Sequence, residues 1–355
     1  MLFVAAPAGE TWEFEDYLKS PLGNGLAGRM KILTCDEIVA QGRAPLGSYI
    51  FEAIDQMSPT EKEIMAQCWE RLREAGPGIT LINHPFEVVL RYDMLKDSFE
   101  RKRNGFRVRR AAAFLGCRKF PVFLRRELDH NASLTPLLHT RRALARAIAA
   151  SLCRGYRLRD LIVIEYCGTA DASGMFRKYS AFIVGGTVLP HSVMHGKNWI
   201  VKSHGRVIDA GTAREETEYV RNNPHAGWLR ETFAQAKTRY GRIDYGLLGG
   251  KPQVWEINTN PTIARHAGMD PLSDEKRRLR QPVREEFFPN FQMALEAIDS
   301  QADPGESIPI SVSPGQRREL EIEKKLRLRV RERKTAISWC ARRVARSLRR
   351  IGLPV

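Results

Sequence analysis

The stretch Gln253–Pro261, QVWEINTNP, decides how this chain is read. Its apolar, aromatic and β-branched content is that of a strand, and it stops on an Asn-Pro pair. Successive strand side chains point to opposite faces, so Trp255 and Ile257 share one face while Glu256 and Asn258 share the other. Two oxygen-bearing side chains about 7 Å apart along one face need water or a cation.

The residues just before this stretch, RIDYGLLGGKP, predict the first strand and turn of a hairpin. A three-residue loop, Gly249-Gly250-Lys251, sets Asp244 directly opposite Glu256. A two-residue Gly-Gly turn sets Asp244 opposite Trp255 instead, on the wrong face. Directly opposed like charges destabilise a strand pair, so the three-residue register predicts a cation between the two carboxylates. Carboxylate and amide oxygens suit Mg2+, with phosphate oxygens and water as its other ligands. A solvated edge hairpin, in which Asn258 and Asn260 only cap the turn before Pro261, accounts for the same residues.

The whole chain has 355 residues, 43% of them apolar, enough for one large domain or two to three small ones with real cores. Its six cysteines show no zinc-knuckle or redox-pair spacing, which reads as reduced thiols in a cytoplasmic protein. The N-terminus, MLFVAAPAGETWEFEDY, lacks the basic start of a signal peptide. No apolar run approaches the ~20 residues of a membrane span. The net charge is +16, of which residues 317–351 carry +10, an asymmetry that points to a tail with its own partner.

Short apolar runs at 30–35, 48–54 and 79–83 predict strands, with a helix starting at Ser58-Pro59-Thr60-Glu61 between the last two. Strand–helix–strand spacing of this size implies a parallel α/β layer. Gly23, Gly25 and Gly28 match G-x-G-x-x-G, but a helical pattern precedes them and a strand follows, so a loop is expected and not a dinucleotide site. Further on, residues 86–103 read as a helix, 119–127 as a strand, Thr135 to Cys153 as a helix and 160–167 as a buried strand. Residues 178–191 read as a hairpin with a type I′ turn at Gly185-Gly186, and 228–240 as a helix.

In this order the features resemble the ATP-grasp superfamily, and DYGLLGGKPQVWEINTNP is the most specific stretch. The resemblance runs from about Asn83 to Ile263. It implies an N-terminal α/β domain (1–90), then an ATP-grasp domain (91–300) of two α+β subdomains with ATP between them. A Pro/Gly/Ser linker (301–316) and a basic helical tail (317–355) would follow. Asp244, Glu256 and Asn258 match the family's Mg2+ ligands, for which Mn2+ can substitute. Lys96 stands where the family has a lysine that reaches the nucleotide phosphates. FPVFLRRE resembles the strand carrying a second phosphate-binding lysine, here Arg125 or Arg126, and an arginine keeps that binding role. VIEYC resembles the hinge whose backbone holds adenine, which implies Glu165, Tyr166 and Cys167. FRKYSAFIVGG resembles the basic strand of the second catalytic hairpin, with Lys178 and Arg177 on opposite faces. The loop ELDHNAS lacks the usual glycines, and His130 is a substitute phosphate contact.

The activity implied is ATP-dependent ligation of a small-molecule or peptide carboxylate to an amine through an acyl phosphate. The alternatives are a kinase on the same fold and a non-catalytic nucleotide-binding protein. His191, His195 and His204 are read as loop surface residues, which is also the alternative for His130, and Trp199 is read as packing. Ile337, Ala341, Val344, Leu348 and Ile351 fall on one stripe of a helix whose remainder is rich in arginine. Such a helix docks on the body, pairs with a partner helix or lies on an anionic membrane surface. No recognised nucleic-acid module is present.

Overall fold

The computed structural model describes residues 1–76, 78–128, 133–202, 205–264, 272–299 and 305–328. The tail stripe at 337–351, His130 and His204 lie outside the described residues.

The chain opens with strand Leu2–Ala6, which the sequence reading passed over. It forms the centre of a four-stranded sheet with Met30–Thr34 on one side and Ser48–Phe51 then Leu81–Ile82 on the other. All its pairings are parallel, as the strand–helix–strand spacing requires. Alternate residues feed two separate cores. Leu2, Val4 and Ile50 join the core that also holds Phe182, Ile243 and Phe291, while Phe3, Ala5, Tyr49 and Phe51 face helix Pro59–Glu74. Burial on both faces is what a parallel sheet demands. Ser58 and Glu61 form the expected capping box at the start of that helix. Gly23 to Gly28 lie in turns between helix Trp12–Lys19 and strand Met30–Thr34, the loop expected of them.

Helix Arg91–Glu100 leads into a three-stranded antiparallel sheet in the order Val108–Arg110, Leu161–Glu165, Val122–Arg126. The following helix is Arg141–Cys153, not one begun at Thr135. Thr140 caps it through Ala143, while the Thr135 hydroxyl accepts from the Leu124 N–H and so ties down the preceding loop.

The last sheet is antiparallel, in the order Thr187–Gly196, Phe176–Val184, Tyr240–Leu248, Lys251–Asn258. At the first hairpin Gly185 takes φ +70° while Gly186 does not turn positive, which fits a type II′ turn and corrects the type I′ expectation. Helix Ala226–Gln235 is shorter than the expected 228–240, because Tyr240 already begins a strand. Helix Gln281–Glu296 lays Phe287 and Phe291 against Phe182 of this sheet.

The stretch read as a linker is partly structured. Ser307–Pro309 pairs with strand Arg43–Pro45. A helix over 314–328 follows, with Leu320 buried in the N-terminal core and Arg327 bonded to Glu61. The first part of the basic tail therefore docks on the body. No helix among the described residues is long and apolar enough to cross a membrane.

Candidate active site

The decisive hairpin turns through two residues, Gly249 and Gly250, with φ +56° and +79°. Leu248 pairs with Lys251 and Tyr245 with Val254. This is the turn that should have put Asp244 on the wrong face. It does not, because the register shifts between Tyr245 and Asp244, and Asp244 pairs with Glu256. Trp255 is the extra residue of this β-bulge, which realigns the two carboxylates. Its indole lies over Gly246, where a Cβ would come within 2.4 Å of the ring.

The opposed carboxylates are compensated by side chains. Asp244 accepts from Lys178 Nζ at 2.9 Å and from Arg242 Nε at 3.1 Å. Burial pushes the Asp244 carboxyl toward a higher pKa, but Arg242 and Lys178 hold it below the ordinary range. Glu256 accepts from Arg91 at 2.5 Å and from Arg125 at 3.3 Å. Arg91 also donates to the Glu127 carbonyl at 2.6 Å, so it links the helix, the end of strand Val122–Arg126 and the Glu256 strand. Among the described residues each carboxylate therefore has at least two cationic side chains beside it.

Asp244, Glu256, Lys178 and Arg125 floor a cleft of about 210 Å³ between the three-stranded sheet and the sheet that carries the hairpin. Phe123 and Arg125 alternate into it from one sheet, and Lys178, Asp244, Trp255 and Glu256 line it from the other. Glu165, Tyr166 and Cys167 form one edge. The Glu165 and Tyr166 N–H groups are engaged by the Arg107 and Pro121 carbonyls, so Cys167 carries the next backbone donor along this edge. The Glu165 carboxylate accepts from the Arg107 N–H at 3.1 Å, which fixes the strand end. Trp199 stands 5.0 Å from the Phe123 ring and 6.0 Å from Tyr166, so it walls the cleft and does more than pack. Lys202 adds a further cation to the lining.

Strand parity separates the paired candidates. Lys178 faces the cleft, while Arg177 points away to Asp171 and to Glu215 at 2.7 Å. His195 also bonds Glu215, at 2.9 Å, and this hydrogen bond is the main reason the Glu215 pKa falls to about 2. His191 and His195 sit on strand Thr187–Gly196, not in a loop as expected, and His195 is buried. Arg125 faces the cleft and Arg126 lies over the Tyr156 ring on the other side.

Lys96 is not brought to the cleft. It is exposed on helix Arg91–Glu100, while Leu95 of the same helix lines the site and Arg91, one turn earlier, reaches Glu256. Asn258 is buried below the lining, and its Oδ1 accepts from the Asn260 N–H at 2.7 Å. Among the described residues no three His, Cys, Asp or Glu side chains gather closely enough to hold a metal ion. The donor chemistry still fits Mg2+ at Asp244 and Glu256, two opposed carboxylates that open onto the cleft. Two residues the sequence reading missed are Arg91 and Arg242. Arg242 was legible, since it stands two positions before Asp244 on the same strand face.

No family model matches the chain, and no curated protein matches it. Among solved structures it is similar to D-alanine–D-alanine ligase from Bacillus anthracis, at 12% identity and TM-score 0.44, over 84% of this chain and 99% of that one. It is also similar to the ATP-grasp ligase PsnB complexed with minimal precursor, at 10% identity and TM-score 0.48, over 83% and 98%. A third is L-amino acid ligase from Bacillus licheniformis, at 11% identity and TM-score 0.42, over 73% and 68%. At these scores the correspondence is loose, and the chemistry has to follow from the side chains in the cleft.

Proposed function

We propose that this chain is an ATP- and Mg2+-dependent ligase of the ATP-grasp type, which activates a carboxylate as an acyl phosphate for attack by an amine or other nucleophile. One observation carries the reading. An aromatic-walled cleft between two sheets ends on a pair of opposed carboxylates, bracketed by cations from both sheets and from a helix. That arrangement suits a planar base at one end and a polyphosphate at the other.

The base would enter between Phe123, Tyr166 and Trp199, with its edge toward the backbone of Glu165 to Cys167. The phosphates would extend toward Lys178, Arg125 and Lys202, which offset their negative charge. Mg2+ would be held by Asp244 and Glu256, with Asn258 close beneath, and would neutralise the phosphate oxygens. The salt bridges to Lys178 and Arg242 on one carboxylate, and to Arg91 and Arg125 on the other, hold both aimed until then. In the reaction a substrate carboxylate oxygen attacks the γ-phosphorus and the bond to ADP breaks. An amine then attacks the acyl carbon, phosphate leaves, and the amine proton passes to solvent. Arg242, bonded to Asp244 and the Thr262 carbonyl behind the lining, adds positive charge beneath that end of the cleft.

Screening paired carboxylates and amines with ATP and Mg2+, with product masses as the readout, tests the reading. Condensed product with ADP and phosphate is expected from the wild type and none from Glu256→Gln, in which the amide oxygen still accepts from Arg91. Full ADP formation by a folded Glu256→Gln would remove the assignment, and ADP with a phosphorylated hydroxyl product would replace it with a kinase.

A further inference from the structure

A second group of acids lies behind Arg242, and the reading above gives it no role. Glu10 and Glu13 follow the end of strand Leu2–Ala6, and Glu52 directly follows strand Ser48–Phe51. These are adjacent parallel strands, and the strand order reverses between them. The crevice at the carboxyl ends of strands, at such a switch point, is where α/β sheets bind ligands.

Glu52 is fully buried, and neither of its carboxylate oxygens has a hydrogen-bond partner. Glu13 is 1% exposed; one oxygen accepts from the Thr262 hydroxyl at 2.8 Å and the other has no partner. Asn260 Oδ1 and the Tyr240 hydroxyl are likewise buried without partners. Asn260 donates through Nδ2 to the Glu10 carbonyl at 3.1 Å, and Glu10 is half-buried at the outer end of the group. A buried polar group without a partner costs about 1–3 kcal/mol, so this collection needs a reason. The group is wired to the cleft floor. The Thr262 carbonyl accepts from Arg242 at 3.2 Å, and Arg242 in turn bonds Asp244.

We propose that Glu52, Glu13, Glu10 and Asn260 form a subsite for a cationic group of the substrate, an ammonium or a guanidinium, held beside Arg242. The proposal rests on the ligase reading and names the chemistry of one substrate. The unpartnered Glu52, Glu13 and Asn260 Oδ1 oxygens are acceptor positions that N–H donors would satisfy, and the Tyr240 hydroxyl beside them can accept or donate. Since the acids do not gather tightly enough for one metal ion, a cation that reaches several of them through its own N–H bonds is the better fit. Burial, with Glu13 and Glu10 adding to it, raises the Glu52 pKa well above the ordinary range; burial also raises Glu13, to about 7.

The test uses the full chain without nucleotide and ethylammonium chloride as the probe, against sodium chloride at equal ionic strength. Ethylammonium is expected to raise Tm with concentration beyond the sodium control, and Glu52→Gln to lose that rise. Glu13→Gln, a second neutral isostere, is expected to weaken it. Equal effects of the two salts, or an undiminished rise in Glu52→Gln, would overturn the subsite. Binding of a fluorescent ATP analogue, measured in parallel, separates the two readings. Nucleotide binding without an ammonium effect removes only the subsite, whereas an ammonium effect without nucleotide binding removes the ligase.

Discussion

Glu13→Gln should change how the stability of this chain depends on pH. Burial raises the Glu13 pKa from 4.5 to about 7, while the Thr262 hydroxyl and Arg242 pull it down without cancelling that effect. Between these values the folded chain keeps a proton that the unfolded chain has released, so the folded state loses ground as pH rises. Each tenfold change in proton affinity is roughly 1.4 kcal/mol, which makes the full cost about 3 kcal/mol. The stabilisation is complete below pH 4.5 and is lost as pH rises through about 7. Glutamine cannot release a proton and carries no such dependence. Relative to the variant, the wild type should therefore lose roughly 2–3 kcal/mol between pH 5 and pH 8, on the order of 5 °C in Tm. Thermal unfolding of both proteins at the two pH values measures this, and taking the difference removes the contribution of every other titrating group. A Tm difference that stays constant from pH 5 to pH 8 would show that Glu13 titrates normally, and that its burial beside Glu52 has no electrostatic consequence.

Lys178→Met should lower nucleotide turnover by two or more orders of magnitude, while Arg177→Met on the opposite face should spare turnover and cost only stability through Glu215; steady-state ADP release read beside Tm separates the two. Leu320→Ala removes a side chain buried in the N-terminal core, and about 2–4 kcal/mol of stability should go with it in denaturant unfolding if the 314–328 helix docks as described. Gly246→Ala forces the Trp255 indole off its seat; fluorescence of that tryptophan should shift and nucleotide affinity should fall, whereas unchanged spectra would mean that the bulge tolerates a methyl group.

Elements whose signals are local were legible in the sequence. The Ser58 capping box, the strand expected at 48–54 and the alternation of Glu256 with Asn258 depend on neighbours a few residues apart; each is present, the strand in the shorter form Ser48–Phe51. The same parity rule left Arg177 against Lys178 and Arg125 against Arg126 as open pairs. Which member faces inward depends on which side of the sheet another sheet covers, and that is a long-range fact. Helix Arg91–Glu100 shows the same division: its existence follows from pattern, yet its rotation brings Arg91 to Glu256 and leaves Lys96 in solvent.

What the sequence by itself determined is the kind of chemistry available: strand-borne carboxylates beside basic strands, on an α/β frame. Only the tertiary structure decided how those carboxylates meet. The turn has two residues, and the opposed pair survives because Trp255 bulges out of the ladder and cations arrive from Arg91, Arg125, Lys178 and Arg242. Local rules count residues along one strand. A bulge is set by what packs over the next one, and charge compensation by side chains as many as 165 positions away, so neither is written in the hairpin itself.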